Sequence, residues 1–210
     1  MKTGFLVYVV VAFATLVAPS ATQAALFKAA AVISGPNNPP PNAFPGIGFT
    51  SFDIDDTAHT MRIQVTFSGL QSNSTNSHAH APTAVAGTGT AGVAVGLFPS
   101  GNPYGFPIGV TSGTFDFTLN TALDATWSNG YRTASGGTAL SAEAAFIQAI
   151  KDGKAYFNIH TANNPGGEIG GFLSPVPEPS SVILMGSGLL AMFLASGFKK
   201  VCRWAPKGIA

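Results

Sequence analysis

Met61, Ile63, Val65 and Phe67 alternate without a break with Arg62, Gln64, Thr66 and Ser68. Successive side chains of a strand point to opposite faces, so this period of two describes a β-strand with one face on a core and the other in water. Phe115, Phe117 and Leu119 repeat the pattern against Thr114, Asp116 and Thr118. Further strands are expected over 26–33, 49–54, 93–98, 155–160 and 169–173, separated by turns rich in glycine, proline and asparagine. Asp55 and Asp56 open the turn into the Met61 strand. Many short strands punctuated in this way predict an all-β fold, a Greek-key or immunoglobulin-like antiparallel β-sandwich. One short helix interrupts them. Leu140, Phe146, Ile147 and Ile150 recur at helical spacing, with Ser141 placed to cap the start and Gly153 to close the end. The stretches 37–45 and 99–107 read as proline-rich loops.

Both ends of the chain carry a different signature. Lys2 precedes an apolar stretch over 5–17, a breaker at Pro19, and small residues at Thr22 and Ala24. These are the parts of a secretory signal peptide, 1–24, cleaved after Ala24; an uncleaved anchor is the competing reading, disfavoured by the short apolar core. At the other end, Val176, Pro177, Glu178 and Pro179 lead into an uncharged apolar run over 182–198 and a basic tail over 199–210 containing Lys199, Lys200 and Arg203. Such a run is at the short end of what spans a hydrocarbon core as a helix, and the basic cluster orients it with the rest of the chain outside.

Between these signals, 25–175 has the size of one domain, enough for a sizeable core. The whole chain has a formal charge of +1, but 25–176 holds five basic and eight acidic residues, a net −3, which speaks against nucleic-acid binding. The sole cysteine, Cys202, lies in the tail, so no disulfide staples the domain. Catalytic patterns are absent: no serine sits in a nucleophile elbow, and no glycine loop has phosphate-binding spacing. Asp53, Asp55 and Asp56 lack the glycine and terminal glutamate of a calcium loop. Glu168 and Asp116 are the one carboxylate pair worth considering for glycosidase chemistry, and nothing in the sequence joins them.

The chemistry-bearing residues are His78 and His80, two apart on an expected strand and therefore on one face, and His160 with Glu168 across a tight loop over 163–167. A hairpin there would bring His160 and Glu168 together near the paired histidines, supplying a third nitrogen and a carboxylate. Such a set suits copper or zinc. The same groups also serve structure, with histidines bonded to backbone carbonyls and Glu168 holding turn amides, or form a binding edge for a glycan or protein. His59 receives no role.

Three resemblances follow from these residues. The triplet Pro177-Glu178-Pro179, the apolar run and the basic tail resemble the PEP-CTERM sorting signal of Gram-negative bacteria that make exopolysaccharide. That resemblance implies an exosortase-type processing enzyme as partner, a membrane contact through the C-terminal helix that ends when the tail is removed, and delivery to the envelope, outer surface or extracellular matrix. An ordinary C-terminal anchor is the competing reading. The span from Leu26 to Leu173, with Asn158-x-His160-Thr161 followed by Pro165-Gly166-Gly167-Glu168-Ile169, resembles the CHRD domain of bacterial exported proteins. It departs from that pattern at Gly170, where the family usually has arginine, and at Ala79, where it favours a branched residue. A weaker resemblance, to copper-zinc superoxide dismutase, rests on the early His-x-His and the late histidine; further histidines and a cysteine pair are missing. The expectation is a non-enzymatic exported module with a binding or matrix role, partnered by exopolysaccharide or surface proteins. The alternative is a mononuclear copper or zinc protein, redox active in the case of copper, using His78, His80 and His160.

Overall fold

The computed structural model describes residues 26–97, 102–177 and Gly188. The expected signal peptide over 1–24, Glu178, Pro179, the apolar run over 182–198 and the basic tail with Cys202 lie outside the described residues, apart from Gly188. Among the described residues no helix is long and apolar enough to cross a membrane.

Among the described residues nine strands run β1 (Leu26–Ser34), β2 (Ile47–Asp55), β3 (Thr60–Ser68), β4 (Ser74–His80), β5 (Val93–Gly96), β6 (Gly113–Asn120), β7 (Tyr156–Thr161), β8 (Ile169–Phe172) and β9 (Ser174–Pro175), with helices α1 (Asn129–Ala134) and α2 (Ala139–Lys151) between β6 and β7. The fold is all-β and antiparallel, and its sheet order is β5-β4-β7-β8-β1-β2-β3-β6, with β9 also on β1. The expected sandwich is built from one curled sheet. Its two halves meet at β1, through Ser34 opposite Gly170 of β8 and through Ala30 and Ala29 opposite Ser174 and Pro175 of β9. The curl brings Phe52 of β2 within 6.1 Å of Phe157 of β7, ring centroid to ring centroid, although β8 and β1 lie between them in the sheet.

The period of two decides which side chains fill that curl. Met61, Ile63, Val65 and Phe67 are buried, and Arg62, Thr66 and Ser68 are exposed. On the wet face Arg62 donates from Nε to Asp116 Oδ1 at 2.8 Å across the β3–β6 pair, which fixes register without adding core. α2 closes the core with Phe146, whose ring lies 6.1 Å from Phe52 and 5.8 Å from Trp127.

Two local readings need correction. Thr138, not Ser141, caps α2: its hydroxyl accepts from Ser141 N–H at 3.1 Å, while the Ser141 hydroxyl accepts from Thr138 N–H at 3.2 Å. Both residues belong to one capping box, and sequence alone ranks either as the cap. The helical content is also larger than a single helix, because α1, capped by Ser128, stands ahead of α2; it is too short to show a helical period. Gly153 follows the last turn at φ +68°, as expected of a closing glycine.

Candidate functional site

Strand β4 pairs with β7 so that His78 faces Asn158, Asn76 faces His160 and His80 faces Tyr156. Alternation then places His78, His80, Tyr156, Asn158 and His160 on one face, while Ala79, Phe157 and Ile159 point into the core. The sequence reading of a shared face for His78 and His80 agrees with this register. The structure brings His160 to them as well: one ring nitrogen from each of the three lies within 4.8 Å of the others.

Each ring is held from behind. His160 Nδ1 donates to Pro165 O at 2.7 Å, so its Nε2 carries a lone pair. His78 Nδ1 lies 2.9 Å from that Nε2 and donates to it. His80 Nδ1 donates to Ala91 O at 2.9 Å, and the ring stacks on Tyr156 with centroids 4.6 Å apart. The loop carrying Ala91 is itself tied down, since Thr83 N–H donates to Lys154 O at 2.9 Å and Gly87 N–H to Gly153 O at 2.8 Å.

One contact is unbalanced. With the His80 proton on Nδ1, its Nε2 presents a lone pair to Asn158 Oδ1 at 3.1 Å, acceptor against acceptor. Either the amide turns over, or a cation stands against both groups.

Burial keeps the cluster neutral. It pushes the His78 ring down to about 3 from its ordinary 6.5, with the adjacent rings of His160 and His80 adding to the shift. His80 is lowered by burial against the raising effect of its bond to Ala91, and His160 by burial against its bond to Pro165.

Glu168 does not join them. Its carboxylate accepts from Gln71 N–H at 2.6 Å, from the Thr161 hydroxyl at 2.7 Å and from Asn164 Nδ2 at 3.2 Å. Thr161 follows His160 in the strand and therefore points to the opposite, buried face, and Glu168 is fully buried on that side with it. The hairpin brings the two backbones together but divides their side chains between faces. Glu168 thus holds the turn, and Asn42 adds to that by donating to its backbone carbonyl at 3.1 Å.

The sequence reading gave no site role to Tyr156 and Asn158, whose positions follow from the β4–β7 register, or to His59. His59, at φ +53°, places Nδ1 2.8 Å from Glu143 Oε2 beside the buried Thr121 hydroxyl. No spacing rule joins residues 84 positions apart.

An antiparallel β domain with a histidine pair on one strand, and a second strand ending in His-Thr ahead of a Gly-Glu-Ile return, defines a recognisable class. The chain belongs to the CHRD domain family, whose model matches residues 29–173. The PEP-CTERM protein-sorting motif matches residues 175–200 directly behind it. No curated protein and no solved structure gives a significant match. The motif marks the chain for export, exosortase processing and membrane anchoring in the envelope of a Gram-negative bacterium.

The departure at Gly170 has a steric basis. A Cβ there would stand 2.5 Å from Asn38 Oδ1 and 2.8 Å from the Phe157 carbonyl oxygen, so the arginine usual in the family has no room here. Gly167 is equally constrained: it has φ +111°, and a Cβ would lie 2.8 Å from Asn158 Nδ2.

Proposed function

We propose that this chain is exported with its signal peptide 1–24 removed and cut by an exosortase-type enzyme near Pro177, Glu178 and Pro179. The domain 25–175 then serves as a binding or structural module at the outer surface or in the extracellular matrix. The observation that carries this reading is where the domain ends. Leu173 is buried, Ser174 and Pro175 pair with Ala30 and Ala29, and Val176 N–H donates to Lys28 O at 2.9 Å, whereas Pro177 is exposed. A cut beyond Pro177 therefore spares every sheet hydrogen bond made among the described residues, which supports a domain that survives processing.

A binding role draws on the outer face of β1 and β2. Val32, Ile47 and Phe49 are each more than half exposed there, with Val32 opposite Phe49 in the register. Around Phe49 stand Ser51, Gln64, Thr66 and Thr114, with Asp116, paired to Arg62, at the edge. An aromatic ring bordered by hydroxyls, an amide and an ion-paired carboxylate suits an exopolysaccharide or a polar protein surface.

Cell fractionation tests the reading. The full chain should partition to the envelope or matrix, a chain lacking 176–210 should appear as a soluble exported protein, and Phe49→Ser should release processed protein from the matrix into the medium. Retention of the truncated chain in the envelope would contradict the sorting reading, and unchanged retention of Phe49→Ser would contradict the binding face.

A further inference from the structure

The histidine cluster is not used by the reading above, and three independent features of it converge on a cation. The first is the donor set. Three imidazoles on a single sheet face, with no thiolate and no carboxylate among them, form a neutral nitrogen site of the kind that late first-row transition ions take in preference to calcium or magnesium.

The second is the support behind the rings. Ala91 O and Pro165 O each take the Nδ1 proton of a histidine, which fixes both tautomers with Nε2 bare and turned toward the cluster. Metal-ligating histidines are oriented by hydrogen bonds of this type. The carbonyls come from two different loops, one ahead of β5 and one between β7 and β8, and neither loop needs to supply them for the sheet to form.

The third is the geometry inside the cluster. Two nitrogens bound at about 2.0–2.1 Å lie about 2.9 Å apart at the right angle of tetragonal copper and about 3.3 Å apart at the tetrahedral angle of zinc, and His78 Nδ1 and His160 Nε2 are 2.9 Å apart. His80 Nε2 faces Asn158 Oδ1 at 3.1 Å, lone pair to lone pair, and a cation bound to Nε2 with the amide oxygen beside it removes that mismatch.

We infer that His78 Nδ1, His80 Nε2 and His160 Nε2 hold one copper or zinc ion on the outer face of the β4–β7 pair, with the Asn158 amide oxygen as the adjacent oxygen donor. Glu168 takes no part. The role of the ion is fixed by its identity: zinc would clamp β4, β7 and the two loops, whereas copper would add a redox centre at the cell surface. Binding through His78 Nδ1 requires that ring to take its other tautomer: solvent removes the proton from Nδ1 and supplies one to Nε2, so the neutral cluster takes up the ion with no net proton release.

The test uses the processed protein purified from the envelope, stripped with a chelator and titrated separately with zinc sulfate and copper sulfate. One equivalent of at least one ion should bind per chain. X-ray absorption should show nitrogen or oxygen neighbours at about 2.0–2.2 Å with the multiple-scattering pattern of imidazole. His78→Asn and His160→Gln should each weaken binding by 100-fold or more while retaining the wild-type circular dichroism spectrum. Absence of stoichiometric binding by the wild-type protein overturns the inference whatever the variants do. So does an absorption spectrum without imidazole scattering, or equal affinity in a variant that remains folded.

Discussion

His78 Nδ1 lies 2.9 Å from Nε2 of His160, 82 residues further along the chain, in a stack of rings that burial keeps neutral. An unfolded chain protonates these rings below about 6.5, whereas the folded chain resists, down to about 3 for His78. Across that window the unfolded state binds more protons, so stability is complete above 6.5 and is lost as pH falls. Metal-free protein should lose on the order of 1–2 kcal/mol between pH 7.5 and pH 5, discounting for partial solvent access. Urea melts at the two values check this, and His78→Asn should flatten the slope; equal midpoints in the wild type would contradict it.

Phe67 stacks on Phe106 at 6.0 Å and is buried, while its neighbour Thr66 faces water. Phe67→Ala should cost about 3–5 kcal/mol, a large part of the stability of a domain without disulfides. Thr66→Ala should change little. Denaturant melts compare them, and equal losses would mean that the alternation does not set the core.

Glu168 holds three donors from a fully buried position. Glu168→Gln should destabilise by about 1–3 kcal/mol, because an amide nitrogen replaces one of the accepting oxygens. It should leave metal stoichiometry unchanged. Calorimetric melting and metal analysis of the same sample separate the two effects, and loss of the ion from a folded Glu168→Gln protein would return the carboxylate to the site.

Gly170 has no space for a side chain against Asn38 and the Phe157 carbonyl. Gly170→Ala should cost about 1–3 kcal/mol through forced backbone movement at the junction of the two sheet halves. Gly170→Arg, the residue usual in the family, should cost at least as much. A stability gain from the arginine, read by thermal melting, would show that Asn38 moves aside freely.

The sequence made the strands legible because β3 and β6 bury one face and wet the other, and a period of two survives in the text of the chain. It made His78 and His80 legible for the same reason. What it could not carry was the β4–β7 register, which sets Asn158 and Tyr156 beside the histidines, nor the face on which a hairpin leaves each partner. His160 and Glu168 are neighbours in the hairpin and look like a pair on paper. The β7–β8 register, continued, would set them on one face, but Glu168 stands just outside β8, where its N–H donates to Ile159 O and its carboxylate turns to the buried Thr161 hydroxyl and Gln71 N–H. His59 and Glu143 stayed hidden because a turn and a helix that share no local pattern meet only in three dimensions. Short α1 offered too few residues to display a period.

The central claim is that the domain is cut from its tail beyond the hydrogen bond from Val176 N–H to Lys28 O, the last of the sheet among the described residues. Intact-mass spectrometry of the protein recovered from the cell surface tests it most directly. The account predicts a mature chain beginning at Ala25 and lacking 182–210, with its new C-terminus close to Pro177, Glu178 and Pro179. Recovery of the surface-exported form with Lys199, Lys200 and Arg203 still attached would contradict it and leave a permanent membrane anchor in place of a processed tail.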